Sequence, residues 1–225
     1  NVVTNLGGTS PVTLDGATAT LKTTNTTAST NTTQTVTIGA SGGTINIAGT
    51  ATASQNSRVI FNTTNALTGS GALTVTGAGT LGTATGVNTR FGGAGALVLS
   101  SSNNYSGNIT LQNGGLIEYG NATALSPTAT ITLGNEAEFA VNSAVVNQNV
   151  TVSGGTNSVL SFATNAPTFA GNVTMNADLL IGLRNWYTTS SNVNTAQNGT
   201  ISGVISGAGN LSTAGSTTAS AARTC

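Results

Sequence analysis

The sequence predicts an all-β chain wound as a β-solenoid of short strands, with little or no helix. Three observations point there. Apolar residues recur in pairs two positions apart, the mark of half-buried strands whose alternate side chains face opposite sides. Most pairs are separated by Gly, Asn or a Gly pair such as Gly42-Gly43 or Gly154-Gly155, residues that tolerate the left-handed backbone of tight turns. The unit Gly-x-Gly-x-Leu appears three times, opening at Gly69, Gly93 and Gly207.

Taken in order, residues 1–34 form a Thr/Asn-rich opening with few large apolar side chains, so strand register there is weakly specified. From Val36 the pattern sharpens. Strands are expected at Val36/Ile38, Ile45/Ile47, Val59/Phe61, Leu73/Val75, Leu97/Leu99, Ile109/Leu111, Ile131/Leu133, Phe139/Val141, Val150/Val152, Leu160/Phe162, Val173/Met175 and Leu179/Ile181/Leu183. Each pair turns its apolar side chains inward. Spacing between pairs suits either an antiparallel sandwich or a solenoid, and the single-residue turns and repeated Gly-x-Gly-x-Leu unit favour the solenoid. Pro11, Pro127 and Pro167 fall near expected turns, where a missing amide proton costs little. Residues 36–183 hold the main strand repeats, and 185–200 break the rhythm as a protruding loop. Residues 201–225 begin a further repeat and a tail. No linker divides the chain, so residues 1–225 read as one domain. Helix is disfavoured throughout, because β-branched residues, Gly and Asn dominate and no 3.6-residue period survives.

Composition narrows function. The 225 residues carry five basic and five acidic side chains and no His, so charge is 4% against about 25% in ordinary domains. Hydrophobic residues still reach 37%, enough to build a core, and the polar surface falls to Ser, 44 Thr and 27 Asn. Binding to nucleic acid or an anionic membrane needs clustered Lys and Arg. Here Lys22, Arg58, Arg90, Arg184 and Arg223 stand apart, so no nucleic-acid partner is expected. The lone Cys225 can close no internal disulfide, and without His or a second thiol no metal or other cofactor is expected. No apolar run approaches the roughly 20 residues of a membrane helix. The chain opens at Asn1 with no charged-then-apolar leader, which reads as a mature, exported form.

The best repeat spans residues 93–117. Gly95, Leu97, Leu99, Asn103 beside Asn104, Tyr105, Gly107, Ile109, Leu111, Gly115 and Leu116 follow the order Gly-x-Gly-x-Leu, Leu-x-Leu, Asn-x-Tyr-x-Gly, strand, Gly-x-Leu. This resembles the autotransporter-associated β-strand repeat of bacterial surface proteins. Residues 69–81 match its opening half, and 201–211 match the start of another copy. The resemblance implies a right-handed parallel β-helix, exported and displayed on the cell surface or released. At about 20 residues per coil and about 4.8 Å per coil, such a chain makes roughly ten coils and a rod near 50 Å long. Tyr105 is expected to pack over a turn, and Asn to bond up and down a ladder.

Chemistry-bearing candidates are few. Polysaccharide-cleaving β-helices need clustered carboxylates. Among Asp15, Glu118, Glu136, Glu138 and Asp178, the spacing of Glu136 and Glu138 puts that pair on one face of one strand. Solvated strand positions are the simpler account of both. Ser nucleophiles lack a His base, and no Gly-x-Ser-x-Gly elbow occurs, so no catalytic residue is assigned and no enzyme is expected. Arg184 with Trp186 and Tyr187, set at the polar loop, is the expected partner or subunit contact. The leading expectation is a structural or adhesive extracellular rod that contacts a surface or matrix, or joins end to end into a homopolymer. An alternative is ice binding through Thr-x-Thr pairs at Thr18/Thr20, Thr35/Thr37, Thr50/Thr52, Thr83/Thr85 and Thr128/Thr130, whose uneven separation argues against a regular ladder. Polysaccharide cleavage is the third.

Overall fold

The computed structural model describes residues 2–3, 10–23, 30–48, 58–77, 96–163, 166–183 and 198–214, and statements below concern these residues. They contain no helix. Every strand ladder is parallel, and the chain circulates through three faces before returning one coil further on. One coil shows the cycle: Ile131–Leu133 on the first face, Glu138–Val141 on the second, Val145–Val146 on the third, then Val150–Val152 back on the first. This is a parallel β-solenoid.

The first face stacks nine strands, from Val2–Val3 through Gly43–Ile47, Leu73–Gly77 and Ile109–Leu111 to Ile205–Gly207. Nine strands at about 4.8 Å make this face about 38 Å long, shorter than ten even coils would give. The reason lies in the coil lengths. Register partners are 36 residues apart between Leu73 and Ile109 but 19 apart between Ile131 and Val150. The ladder keeps its register across both intervals.

Alternation decides what the coil encloses. Along the first face Leu21, Ile45, Val75, Leu111, Leu133, Val152 and Met175 fall in one register column, and all are buried. Each Val, Leu or Ile so placed contributes about 1.5–3 kcal/mol relative to exposure. All twelve expected strand sets lie in strands. Inside, Tyr119, Phe139 and Phe169 make edge-to-face contacts, with centroids 5.9 and 6.3 Å apart.

The second face departs from an apolar-inside, polar-outside scheme. Ala96–Leu99, Leu116–Tyr119, Glu138–Val141 and Ser158–Phe162 are buried at every position, so their outward residues are covered as fully as their inward ones. Ala96, Val98 and Leu116 form a separate apolar cluster on that outer side, with Ile60 packed against it. The third face is interrupted. Val12–Leu14, Val36–Ile38 and Leu67–Gly69 form one small sheet, and Val145–Val146, Thr168–Phe169 and Thr200–Ile201 another. Between the two sheets lie coils with no strand on this face, where Tyr105 and Leu125 are buried.

Candidate functional site

Strand alternation put Glu136 and Glu138 on one face; the structure separates them. Glu136 precedes its strand and sits in a turn with φ 49°, stacked between Gly114 at 77° and Asn157 at 66°. Its main chain continues the stack, as Gly114 N–H donates to Glu136 O at 2.8 Å and Glu136 N–H to Thr156 O at 2.9 Å. A left-handed residue breaks the period of two, so the next carboxylate is not its neighbour. Glu138 lies on the outer side of the second face, 2% exposed, and accepts a hydrogen bond from Ser161 Oγ.

The carboxylates that share a face are Glu118 and Glu138, on adjacent strands of the second face. Glu118 is 1% exposed. Arg58 Nη2 donates to Glu118 Oε2 at 2.6 Å from two strands away, passing the strand where its own register partner is the small Ala96. Asn142 Nδ2 donates to Glu118 Oε1. A buried carboxylate needs such partners because desolvation penalises an unpaired charge heavily. Both carboxylates are engaged inside the wall and closed to a bulky substrate.

The Asn-x-Tyr-x-Gly residues form a clamp across three coils. Asn103 Oδ1 accepts the Leu67 amide at 2.8 Å from the coil before, and Asn103 Nδ2 donates to Ala124 O at 3.2 Å in the coil after. Tyr105 is fully buried, and its hydroxyl faces Gly71 O at 2.7 Å and Asn108 O at 3.0 Å. Burial raises the phenol pKa well above its usual value. Gly107 is required by close approach, since a Cβ there would lie 2.1 Å from Gly71 O. The tyrosine packs over the turn, as expected, and fills the interval where the third face has no strand.

Asn and Asp do bond coil to coil, but chiefly to backbone amides. Asn149 Oδ1 accepts the Asn172 amide at 2.9 Å, Asn172 Oδ1 the Val204 amide at 3.0 Å, and Asp178 Oδ1 the Asn210 amide at 2.8 Å. These side chains satisfy corner N–H groups where ladder pairing ends.

A ladder of threonines runs up the outer side of the first face. Thr20, Thr44, Thr74, Thr110, Thr132, Thr151 and Thr174 are successive register partners, continued by Ser206. All seven threonines reach solvent in part, Thr174 most fully. Their sequence separations are uneven, yet their spatial repeat is the coil spacing of about 4.8 Å. Of the expected Thr-x-Thr pairs, only Thr20 belongs to it. Thr20 and Thr37 stand on different faces, and Thr128 lies in a turn. Thr50/Thr52 and Thr83/Thr85 lie outside the described residues, as do Arg184, Trp186, Tyr187 and Cys225.

Comparison with protein-family models, curated proteins and solved structures returns no match. Among the described residues no helix is long and apolar enough to cross a membrane, and no three metal-ligating side chains gather. Two arrangements escaped the sequence reading, the Thr column and the Arg58–Glu118 pair. The pair had one available signal: the continuous apolar run Ala96–Leu99 marks a strand buried on both sides, which makes Glu118, in the otherwise apolar Leu116–Tyr119, a buried charge in need of a partner.

Proposed function

We propose that this chain is a non-enzymatic structural or adhesive β-solenoid of a bacterial surface protein, displayed outside the cell and joined end to end with further solenoid. The observation that carries the reading is the last described coil. Thr200–Ile201, Ile205–Gly207 and Leu211–Ala214 are edge strands of three sheets at once. Val204 and Leu211, 65% and 47% exposed, are two of the three exposed large hydrophobics among the described residues. Parallel edges bearing apolar side chains template another strand layer, and a head-to-tail contact that does not close yields a filament. The next layer is a second copy of the chain or further coils of a longer protein. The clamp made by Asn103, Tyr105 and Gly107 gives the repeat resemblance a structural role, and so supports placement among exported surface solenoids.

Electron microscopy of purified chain at high concentration, with sedimentation, tests this. Filaments one rod wide are expected, and Val204→Asp with Leu211→Lys should shorten them to single particles. Parent particles that stay short and unassociated would overturn end-to-end joining of copies.

A further inference from the structure

We propose that the outer side of the first face is an ice-binding surface, with the column Thr20, Thr44, Thr74, Thr110, Thr132, Thr151 and Thr174 as its contact row. The row arises from register alone. Each Thr presents a hydroxyl and a methyl group from a β-branched side chain with few rotamers, and main-chain bonding above and below holds its Cα. The groups therefore stand in position before any ligand arrives, which removes most of the ordering cost of binding. Their repeat of about 4.8 Å follows from parallel pairing. It lies close to the oxygen repeat along the a axis of hexagonal ice.

The surroundings match that occupant. Two residues along the strand the outward positions begin with Lys22, Asn46 and Thr76, and Asn46 Nδ2 donates to Thr76 Oγ1 at 2.8 Å. On the other side stand Asn108, Thr130, Asn149 and Asn172. There Thr130 Oγ1 donates to Asn108 Oδ1 at 2.8 Å, and Asn149 Oδ1 receives the Asn172 amide. Across the Thr row and these neighbours, Lys22 carries the single charge. A charged face would hold strongly hydrated ions at positions set by the ions, whereas hydroxyl, methyl and amide groups order water at positions set by the protein. Neutrality also disfavours polyanions and anionic membranes. The uneven sequence spacing of the threonines does not weaken the row, since register pairing holds them in one column whatever the number of residues between them.

The inference does not depend on end-to-end joining, because a monomeric rod presents the same face and the assays differ. Thermal hysteresis, ice-crystal shaping and partition into growing ice would be measured on the full chain. The comparison set is Thr132→Lys with Thr151→Lys, the gentler Thr132→Ser with Thr151→Ser, and Asn104→Lys on the third face. Shaped crystals and hysteresis are expected for the parent and for Asn104→Lys. The Lys pair should lose both at unchanged circular dichroism, and the Ser pair, which keeps the hydroxyls and drops the methyls, should lose part of the hysteresis. Absence of hysteresis in the parent, or parent-level hysteresis in the variant carrying Thr132→Lys and Thr151→Lys, overturns the proposal. So does binding to crystalline cellulose or chitin without ice affinity, which would identify the row as a polysaccharide contact.

Discussion

Replacing Tyr105 by Phe deletes one hydroxyl from the interior of the stack and keeps the ring. The hydroxyl reaches Gly71 O at 2.7 Å and Asn108 O at 3.0 Å. Asn108 O keeps the Leu73 amide, which donates to it at 2.9 Å, so the loss falls on Gly71 O. Leaving one buried acceptor without its donor costs about 1–3 kcal/mol. For a chain of this length each kcal/mol moves Tm by about 2–4 °C, which predicts a fall of about 2–12 °C. Solenoids unfold in segments, so calorimetry is best paired with amide hydrogen exchange. Exchange should quicken first in Leu67–Gly69, Leu73–Gly77 and Ile109–Leu111, the strands beside the clamp. A destabilisation below about 0.5 kcal/mol, the range of an ordinary surface change, would refute the hydroxyl's part in joining the coils.

Alkali should unfold the protein with a definite sign. Burial raises the pKa of Tyr105, and raises that of Tyr119 to about 12, while an unfolded phenol titrates near 10. Stability is therefore full below about pH 10 and falls above it by up to about 1.4 kcal/mol per pH unit for each phenol, until the folded pKa is passed. In a Tyr187→Phe variant, which leaves Tyr105 and Tyr119 as the only phenols, ultraviolet titration should show both ionising only as circular dichroism is lost; ionisation near 10 with the fold intact would contradict the burial. Gly71→Ala places a Cβ 1.7 Å from Gly39 O, a backbone atom with no freedom to yield, and should cost at least about 1–3 kcal/mol in denaturant melts. A variant as stable as the parent would show that the coils can part locally. Glu136→Gly relieves a left-handed backbone in a non-glycine residue and should raise stability by up to about 1 kcal/mol, whereas a loss would mean that its carboxylate matters.

The strands were legible where inward positions are large and apolar and outward ones polar. Ile109-Thr110-Leu111 and Val150-Thr151-Val152 state their own orientation, because a one-residue slip would expose both apolar side chains. The same rule misplaced Glu136 and Glu138, since the period of two holds only while the backbone stays extended, and Glu136 turns at φ 49°. It also undercounted the second face, where Val98 and Leu116 point outward and are nonetheless buried. Tyr105 was legible as a turn-packing residue; the partners of its hydroxyl, Gly71 and Asn108, were not.

By itself the sequence determined an all-β stack of short strands with an apolar interior and an almost uncharged surface, because those properties depend on residue type and on neighbours two positions away. Which residues stand above one another was decided by tertiary structure. Leu73 meets Ile109 across 36 residues and Ile131 meets Val150 across 19, since main-chain bonding holds the ladder in step whatever number of residues separates its strands. The threonine row and the Arg58–Glu118 pair exist only in that vertical register, which no spacing along the chain reveals.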